Sequence, residues 1–169
     1  MEELSLRRLQ KEWQFWKMHR IPGFTARLSE TSTGTRDYYN WECLIPGPEG
    51  SLWEGGTYKL FIKFPEDFPV TPPKCIFEKK LFHPNVYKSG TVCLNIINED
   101  EQWRAGTKIT EILAAIKELL AHPNTKSPAN EEAQECYEKR REEYKKRVRE
   151  QVRECRLKGK GTLCRRHNT

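Results

Sequence analysis

The run TYKLFIKF, residues 57 to 64, constrains the fold of this chain because apolar and polar side chains alternate along it. Aromatic or aliphatic residues occupy the even positions, and lysines face the other way, which is the period of a half-buried β-strand. Further runs with strand character lie at 24–28, 38–45 and 74–78, joined by links rich in glycine and proline. Because such links reverse the chain between consecutive strands, we predict a four-stranded antiparallel meander.

Helices flank this predicted sheet. Residues 2–19 carry a single apolar stripe, and residues 108–121 carry a wide apolar face. Ser127-Pro128 offers an N-cap and a first position for a further helix, whose apolar stripe continues to about Cys155. This order predicts an α+β domain with helices packed on one sheet. We assign the domain to residues 1–157 and a basic tail to residues 158–169.

Composition and charge narrow the function. No run approaches the ~18 apolar residues of a membrane span, so we expect a soluble protein with no role at a membrane. The six cysteines form no C-x-x-C pair, which favours free thiols and no metal site. Residues 139–169 contain thirteen Lys/Arg and four Glu, which gives this segment a charge of +9. Because the net charge of the chain is +6, residues 1–138 sum to −3. A solvated helix explains this excess; nucleic-acid binding by the tail is the weaker alternative.

Residues 79–106 lack a long periodic pattern, and irregular segments of that length are usually functional. They contain LFHPNVYKSGTVCLNI and its single cysteine, Cys93. The apolar run after Cys93 favours a buried packing role. A nucleophile that carries an acyl group would instead need exposure and an oxyanion donor, for which the Asn85 carboxamide is the candidate. An Asx turn would explain Asn85 equally well. A Cys–His protease dyad with His83 is disfavoured because that histidine precedes a rigid proline.

Several long motifs then occur in an order that resembles one known family. HPNVYKSGTVCL, NWECLIPGPEGSLWEGGTYKL, FPEDFPVTPPKCIF and Trp103 resemble the catalytic domain of ubiquitin-like-protein conjugating enzymes, over about residues 4–155. The resemblance is closest to the SUMO-conjugating branch. It implies the ubiquitin-conjugating (UBC) fold and no cofactor. It also implies that Cys93 receives SUMO as a thioester from an ATP-using activating enzyme and passes it to lysine.

The resemblance also implies roles for neighbouring residues. Asn85 would stabilise the oxyanion, and Tyr87 would orient and desolvate the lysine, since burial favours the neutral amine. An acceptor-binding set would hold the glutamate of a ψ-K-x-E motif, as suits a lysine and two hydroxyls. That set is Lys74, Ser89 and Thr91, and Ala129 would be a further substrate-binding residue. The first helix would contact SUMO and the activating enzyme through Arg8, Lys11, Trp13 and Lys17.

Smaller features bear on the modifier and the partners. Val92, Asn95 and the segment NEDEQW, residues 98–103, are similar to the SUMO branch rather than to ubiquitin-type members. We therefore expect SUMO, its activating enzyme, SUMO ligases and ψ-K-x-E substrates as partners, in the nucleus and cytoplasm. A ubiquitin-conjugating enzyme, or a non-catalytic scaffold on the same fold, is the alternative.

Some positions depart from the pattern. Ser127 stands where the branch has an aspartate that contacts the acceptor lysine, so Ser127 either serves that role without charge or only caps the next helix. Trp13 and Lys17 replace arginines, and Ala105 replaces a proline. The tail has no counterpart. These departures indicate a divergent lineage.

Overall fold

The computed structural model describes the backbone of residues 2–163 and the side chains of residues 3–156. Its elements in chain order are helix α1 (Glu2–Met18), strands β1 (Thr25–Glu30), β2 (Arg36–Pro46), β3 (Thr57–Lys63) and β4 (Lys74–Phe77), a short 3-10 helix (Asn95–Ile97), and helices α2 (Ile109–Ala121), α3 (Glu131–Lys139) and α4 (Arg141–Leu163). The strands form one sheet in the order β1-β2-β3-β4, and each neighbouring pair is antiparallel. The predicted meander and the α+β class are therefore confirmed.

The core lies where the helices pack on the sheet. Along β3, Tyr58, Leu60 and Ile62 are buried and alternate with more exposed residues, as the sequence pattern predicts. Helices α1 and α2 pack against β2, and α4 packs against β3. Helix α1 buries Leu9 and Trp16 of its predicted stripe. Burying these faces is what holds the helices on the sheet, since apolar area removed from water stabilises by about 25 cal/mol per Å².

The C-terminal helical region differs from the prediction in two ways. Its first helix begins at Glu131, and its N-cap is Asn130, whose side chain accepts a hydrogen bond from the Ala133 amide at 3.1 Å. The prediction that Ser127-Pro128 starts this helix is therefore wrong. The predicted single helix is also divided at Arg140 into α3 and α4.

Helix α4 continues to Leu163, past the end predicted near Cys155. Residues 164–169 of the predicted tail lie outside the described residues, so the boundary between domain and tail stays a prediction. None of the helices in the described part of the chain is long and apolar enough to span a bilayer.

Candidate active site

Residues 91–93 form a short extended segment between β4 and residues 85–87. On one side, the Val92 amide donates to the Cys75 carbonyl at 2.9 Å. On the other side, the Cys93 amide donates to the Asn85 carbonyl at 2.8 Å. We call residues 85–93 the active-site ribbon. The backbone of residues 91–93 is thus fixed from both sides, although the sequence predicted only an irregular loop here.

The pairing places the candidate side chains on one face. Val86 and Val92 lie opposite each other and are both buried in the core. Successive side chains of extended backbone point to opposite faces, so the residues that flank these valines point away from the core. Ile76 of β4 lies opposite Thr91, so the two side chains share a face. Lys74 precedes Ile76 by two residues in the strand and therefore lies on that face as well. The predicted site residues that this register brings to one face are Lys74, Asn85, Tyr87, Thr91 and Cys93.

Gly90 makes the turn within the ribbon possible. Its φ of +93° lies in the left-handed region that side chains disfavour, and a Cβ there would lie 2.5 Å from the Phe77 carbonyl oxygen. The Gly90 amide donates to the Tyr87 carbonyl at 2.8 Å, which closes the turn. The Ser89 hydroxyl then reaches the Thr91 hydroxyl at 2.9 Å. Two predicted acceptor-binding residues are thereby held as one pair of hydroxyls.

Cys93 differs from the other described cysteines because it is only half-buried, whereas Cys43, Cys75, Cys136 and Cys155 are buried. Burial, together with the nearby Glu42 carboxylate, raises the pKa of Cys43 to about 12, so that thiol stays protonated. Cys164 lies outside the described residues. Exposure therefore favours the nucleophile interpretation of Cys93 over the packing one.

Tyr87 lies beside Cys93. Its side chain is 46% exposed. Charge on the Cys93 sulfur, partial burial and a hydrogen bond to the Cys93 side chain raise the pKa of the Tyr87 hydroxyl above its ordinary value. Tyr87 therefore interacts with the Cys93 side chain and also reaches solvent. Its role in orienting and desolvating an incoming lysine stays a prediction.

The Asn85 carboxamide is buried and bonded at both ends. Its Nδ2 donates to the Asn124 carbonyl at 2.7 Å and to the Ser127 carbonyl at 3.4 Å, and its Oδ1 accepts from the Asn124 amide at 2.8 Å. These partners are 39 and 42 residues away, so the Asx-turn alternative is wrong. The carboxamide instead links the ribbon to the segment at 124–127. Oxyanion stabilisation by Asn85 stays a prediction, and it would require Nδ2 to release its long bond to Ser127.

His83 is not available as a base. It is buried, its Nε2 donates to the Leu119 carbonyl at 2.8 Å, and its Nδ1 accepts from the Asn85 amide at 3.0 Å. Burial lowers the pKa of His83 to about 4, so the ring is neutral near pH 7. Both ring nitrogens are occupied by structural contacts, which excludes His83 from a protease dyad with Cys93.

Comparison with known proteins identifies the family. A family model described as "Ubiquitin-conjugating enzyme" matches residues 8–152. The chain is 44% identical over 152 residues to the SUMO-conjugating enzyme UBC9 of Caenorhabditis elegans, covering 90% of this chain and 92% of the relative. It is also 44% identical over 151 residues to the Sumo-conjugating enzyme ubc9 of Dictyostelium discoideum, covering 89% of this chain and 95% of the relative.

The chain belongs to the ubiquitin-conjugating enzyme family. The predicted UBC fold is therefore confirmed, and the family places this chain among transferases. The Cys–His protease alternative is wrong on this ground as well as on the geometry of His83.

In this conjugating enzyme, the segment before α3 is fastened to the ribbon. The Pro84 carbonyl accepts from the Ala129 amide at 2.7 Å and from the Asn130 amide at 3.1 Å. Ser127 uses its carbonyl to accept from Asn85, and its side chain is exposed. The cap interpretation of Ser127 is wrong because Asn130 caps α3. Its contact with an acceptor lysine stays a prediction, as does substrate binding by half-buried Ala129.

The predicted partner contacts of this conjugating enzyme lie on α1, away from Cys93. Lys11 and Lys17 are exposed, as a contact surface requires. Arg8 is largely used within the molecule, since it donates to the Glu12 carboxylate at 2.9 Å and to the Thr107 carbonyl at 3.1 Å. Trp13 is half-buried, and its ring edge packs on Trp41 with centroids 5.2 Å apart. Partner contact by these four residues stays a prediction, and Arg8 and Trp13 offer a partner only part of their surface.

Two residues with structural importance escaped the sequence analysis, and only the second of them contacts the site. Glu12 is buried and accepts from Arg8, from Lys108 at 3.5 Å and from the Ile109 amide at 3.3 Å, which ties α1 to the start of α2. Its only sequence signal was an acidic residue next to an apolar stripe. Asn124 binds Asn85 through its backbone, which no residue type reveals. No group of His, Cys, Asp and Glu side chains within the described residues is arranged to hold a metal ion.

Proposed function

We propose that this protein is a SUMO-conjugating enzyme, which accepts SUMO as a thioester on Cys93 and transfers it to substrate lysines. The relatives named SUMO-conjugating enzymes align over about nine-tenths of this chain and of their own lengths, which supports this modifier. The observation that carries the proposal is the half-exposed Cys93 thiol. It lies on a ribbon fixed by backbone hydrogen bonds and shares one face with Tyr87 and Asn85.

The proposed chemistry has two steps. The Cys93 thiolate attacks the activated C-terminal carbonyl of SUMO, which forms a thioester and releases the activating group. A lysine ε-amine then attacks the thioester carbonyl, so that an isopeptide bond forms and the Cys93 sulfur leaves. The amine must first lose its proton, and its free pKa is about 10.4. Contact with the Tyr87 ring would remove water from the amine and favour its neutral form.

The neighbouring polar side chains fit an acidic acceptor motif. Lys74 is exposed at the edge of β4, on the same face as Thr91, whose hydroxyl is paired with that of Ser89. An ammonium and two hydroxyls are suitable donors for a carboxylate. We therefore assign them to the glutamate of a ψ-K-x-E motif.

The remaining partners are proposed by the same reasoning. SUMO and its activating enzyme would contact the exposed side of α1, including Lys11 and Lys17. SUMO ligases would bring substrates to the site, and the protein would act in the nucleus and cytoplasm.

A thioester assay tests the proposal. The protein is incubated with ATP and a matched activating enzyme, with SUMO in one reaction and ubiquitin in another, and the products are separated on a non-reducing gel. We expect an adduct with SUMO that a thiol reductant removes and that Cys93→Ala abolishes. An adduct with ubiquitin alone would identify a ubiquitin-conjugating enzyme instead. Failure with both modifiers, using an activating enzyme from the same organism, would indicate a non-catalytic scaffold.

A further inference from the structure

One flank of α4 carries a row of cations that the proposed transfer reaction does not use. With 3.6 residues per turn, these side chains fall within one side of the helix, next to its buried face. Four of them are exposed and the first is half-buried. We call this row the basic flank: Lys145, Lys146, Arg149, Arg153 and Arg156.

The basic flank borders a groove. Its three arginines line a concave space of about 400 Å³ between α4 and the segment that connects β2 to β3. Leu52 and Val152 supply apolar surface within it. Gly55 leaves room for the Arg156 guanidinium, since a Cβ at that glycine would lie 2.2 Å from Nη2 of Arg156. Arg156 also donates to the Glu54 carbonyl at 3.0 Å, which fixes its orientation.

Charges on the basic flank are largely uncompensated. Within residues 3–156, Arg149 and Arg153 make neither a hydrogen bond nor an ion pair. Three carboxylates lie close by: Glu142 pairs with Lys145 at 2.8 Å and is near enough to Arg149 for their charges to attract, Glu54 accepts from the Gly50 amide at 3.3 Å, and Glu150 follows Arg149 on the helix without forming an ion pair with the flank. By contrast, cations on the opposite flank are paired, as Arg147 is with Glu132 at 2.6 Å.

The basic flank is separate from the active site. The opposite flank of α4 faces the segment that leads into the ribbon, where Gln151 accepts from the Phe82 amide at 2.8 Å and donates to the Lys80 carbonyl at 3.1 Å. A ligand in the groove would therefore lie across α4 from the entry to the ribbon.

We propose that the basic flank and its groove bind an Asp/Glu-rich segment of a partner protein. The charge is complementary, and an arginine fork pairs with carboxylates in a bidentate geometry. The apolar floor fits the methylene groups of such side chains. The groove lining contains no aromatic side chain on which a nucleic-acid base could stack, which favours a peptide over a single strand. The proposal does not depend on which modifier Cys93 carries.

The test measures binding of a labelled Asp/Glu-rich peptide, about eight residues long so that it can follow the ~17 Å flank. Fluorescence anisotropy is recorded with wild-type protein, with Arg149→Glu/Arg153→Glu, and with Arg20→Glu/Arg36→Glu as a control with the same change in charge at two exposed sites. We expect the flank variant to raise Kd at least about tenfold. The control should stay near the wild-type value, and added salt should weaken binding to wild-type protein.

A charge-removing double variant and a measurement of activity complete the test. Arg149→Gln/Arg153→Gln removes charge without adding repulsion and should raise Kd about threefold or more. Thioester formation on Cys93, measured on the same samples, should not change. Equal weakening by the flank and control variants, or no binding of the peptide at low salt, would overturn the proposal. Tighter binding of a single-stranded oligonucleotide of equal charge, lost in the flank variant, would assign the surface to nucleic acid instead.

Discussion

Asn85→Ala should destabilise the folded protein as well as slow transfer. The carboxamide makes two short hydrogen bonds to Asn124, at 2.7 and 2.8 Å, and a longer one to the Ser127 carbonyl. Alanine would leave the Asn124 amide and carbonyl without these partners. Each buried group left unpaired costs about 1–3 kcal/mol, so we expect the free energy of unfolding to fall by about 2–4 kcal/mol. For a domain of this size, that corresponds to a decrease in Tm of about 4–16 °C.

Equilibrium unfolding in urea measures the stability term, and two single-turnover reactions measure the chemistry. Thioester formation on Cys93 should stay within a few-fold of wild type, while transfer to lysine should fall on the order of 10²–10³-fold if Asn85 stabilises the oxyanion. Asn124→Ala is the matched control. It removes only the side chain that accepts from the Lys126 amide at 3.1 Å, and it keeps the backbone groups that bind Asn85. Its cost should be below about 1 kcal/mol.

Two results would refute this reasoning. If Asn85→Ala unfolds with the wild-type free energy, or if Asn124→Ala costs as much, the link between the ribbon and residues 124–127 does not stabilise the protein. If loading and transfer decrease equally at a temperature where Asn85→Ala is fully folded, Asn85 has no specific part in the attack by lysine.

Three further predictions concern the sulfur, the turn and the buried histidine. Cys93→Ser should form its SUMO adduct more slowly, because a hydroxyl is the weaker nucleophile, and the resulting ester should resist thiol reductant on a gel; an adduct that reductant removes would contradict this. Gly90→Ala should lower Tm by more than Gly34→Ala, because both glycines have positive φ but only a Cβ at Gly90 meets backbone, 2.5 Å from the Phe77 oxygen; equal decreases would show that this contact is harmless. The pKa of His83 is about 4 in the folded protein and 6.5 in its ordinary state. Between pH 6.5 and pH 4 only the unfolded chain binds this proton. The contribution of neutral His83 to the free energy of unfolding is therefore fully present above about pH 6.5 and is lost as the pH falls to about 4. The excess unfolding free energy of wild type over His83→Gln should therefore shrink by about 3 kcal/mol between neutral pH and pH 4, and a constant difference in urea unfolding would disprove it.

The sheet and the two flanking helices could be predicted because burial leaves a local period in the sequence. Alternation at residues 57–64 became β3, and the stripe of residues 2–19 became α1. The break at Arg140 could not be found this way, since no glycine or proline marks it and the apolar stripe continues through Tyr144. The remaining signal was electrostatic: α3 ends with Lys139, and acidic residues open the first turn of α4, as helix dipoles favour.

The candidate site likewise contains residues that the sequence could predict and contacts that it could not. The motif identified Cys93 and its neighbours, because a nucleophile and its accessories lie close together in the sequence. The partners of Asn85 lie about forty residues further on and bind mainly through backbone atoms, which have no signature in residue type. For that reason the sequence left an Asx turn open for Asn85, and only the fold excludes it.

These contacts also explain how such a site works with little acid–base machinery. His83 is neutral and fully engaged, so the ring nearest in sequence cannot take a proton from Cys93 or from lysine. What the fold supplies is position. Pro84 and Asn85 fasten residues 124–130, backbone bonds hold Cys93, and Tyr87 remains partly exposed beside the sulfur. Because orientation and desolvation alone lower barriers by several kcal/mol, a preactivated carbonyl on Cys93 needs no stronger base than the fold provides.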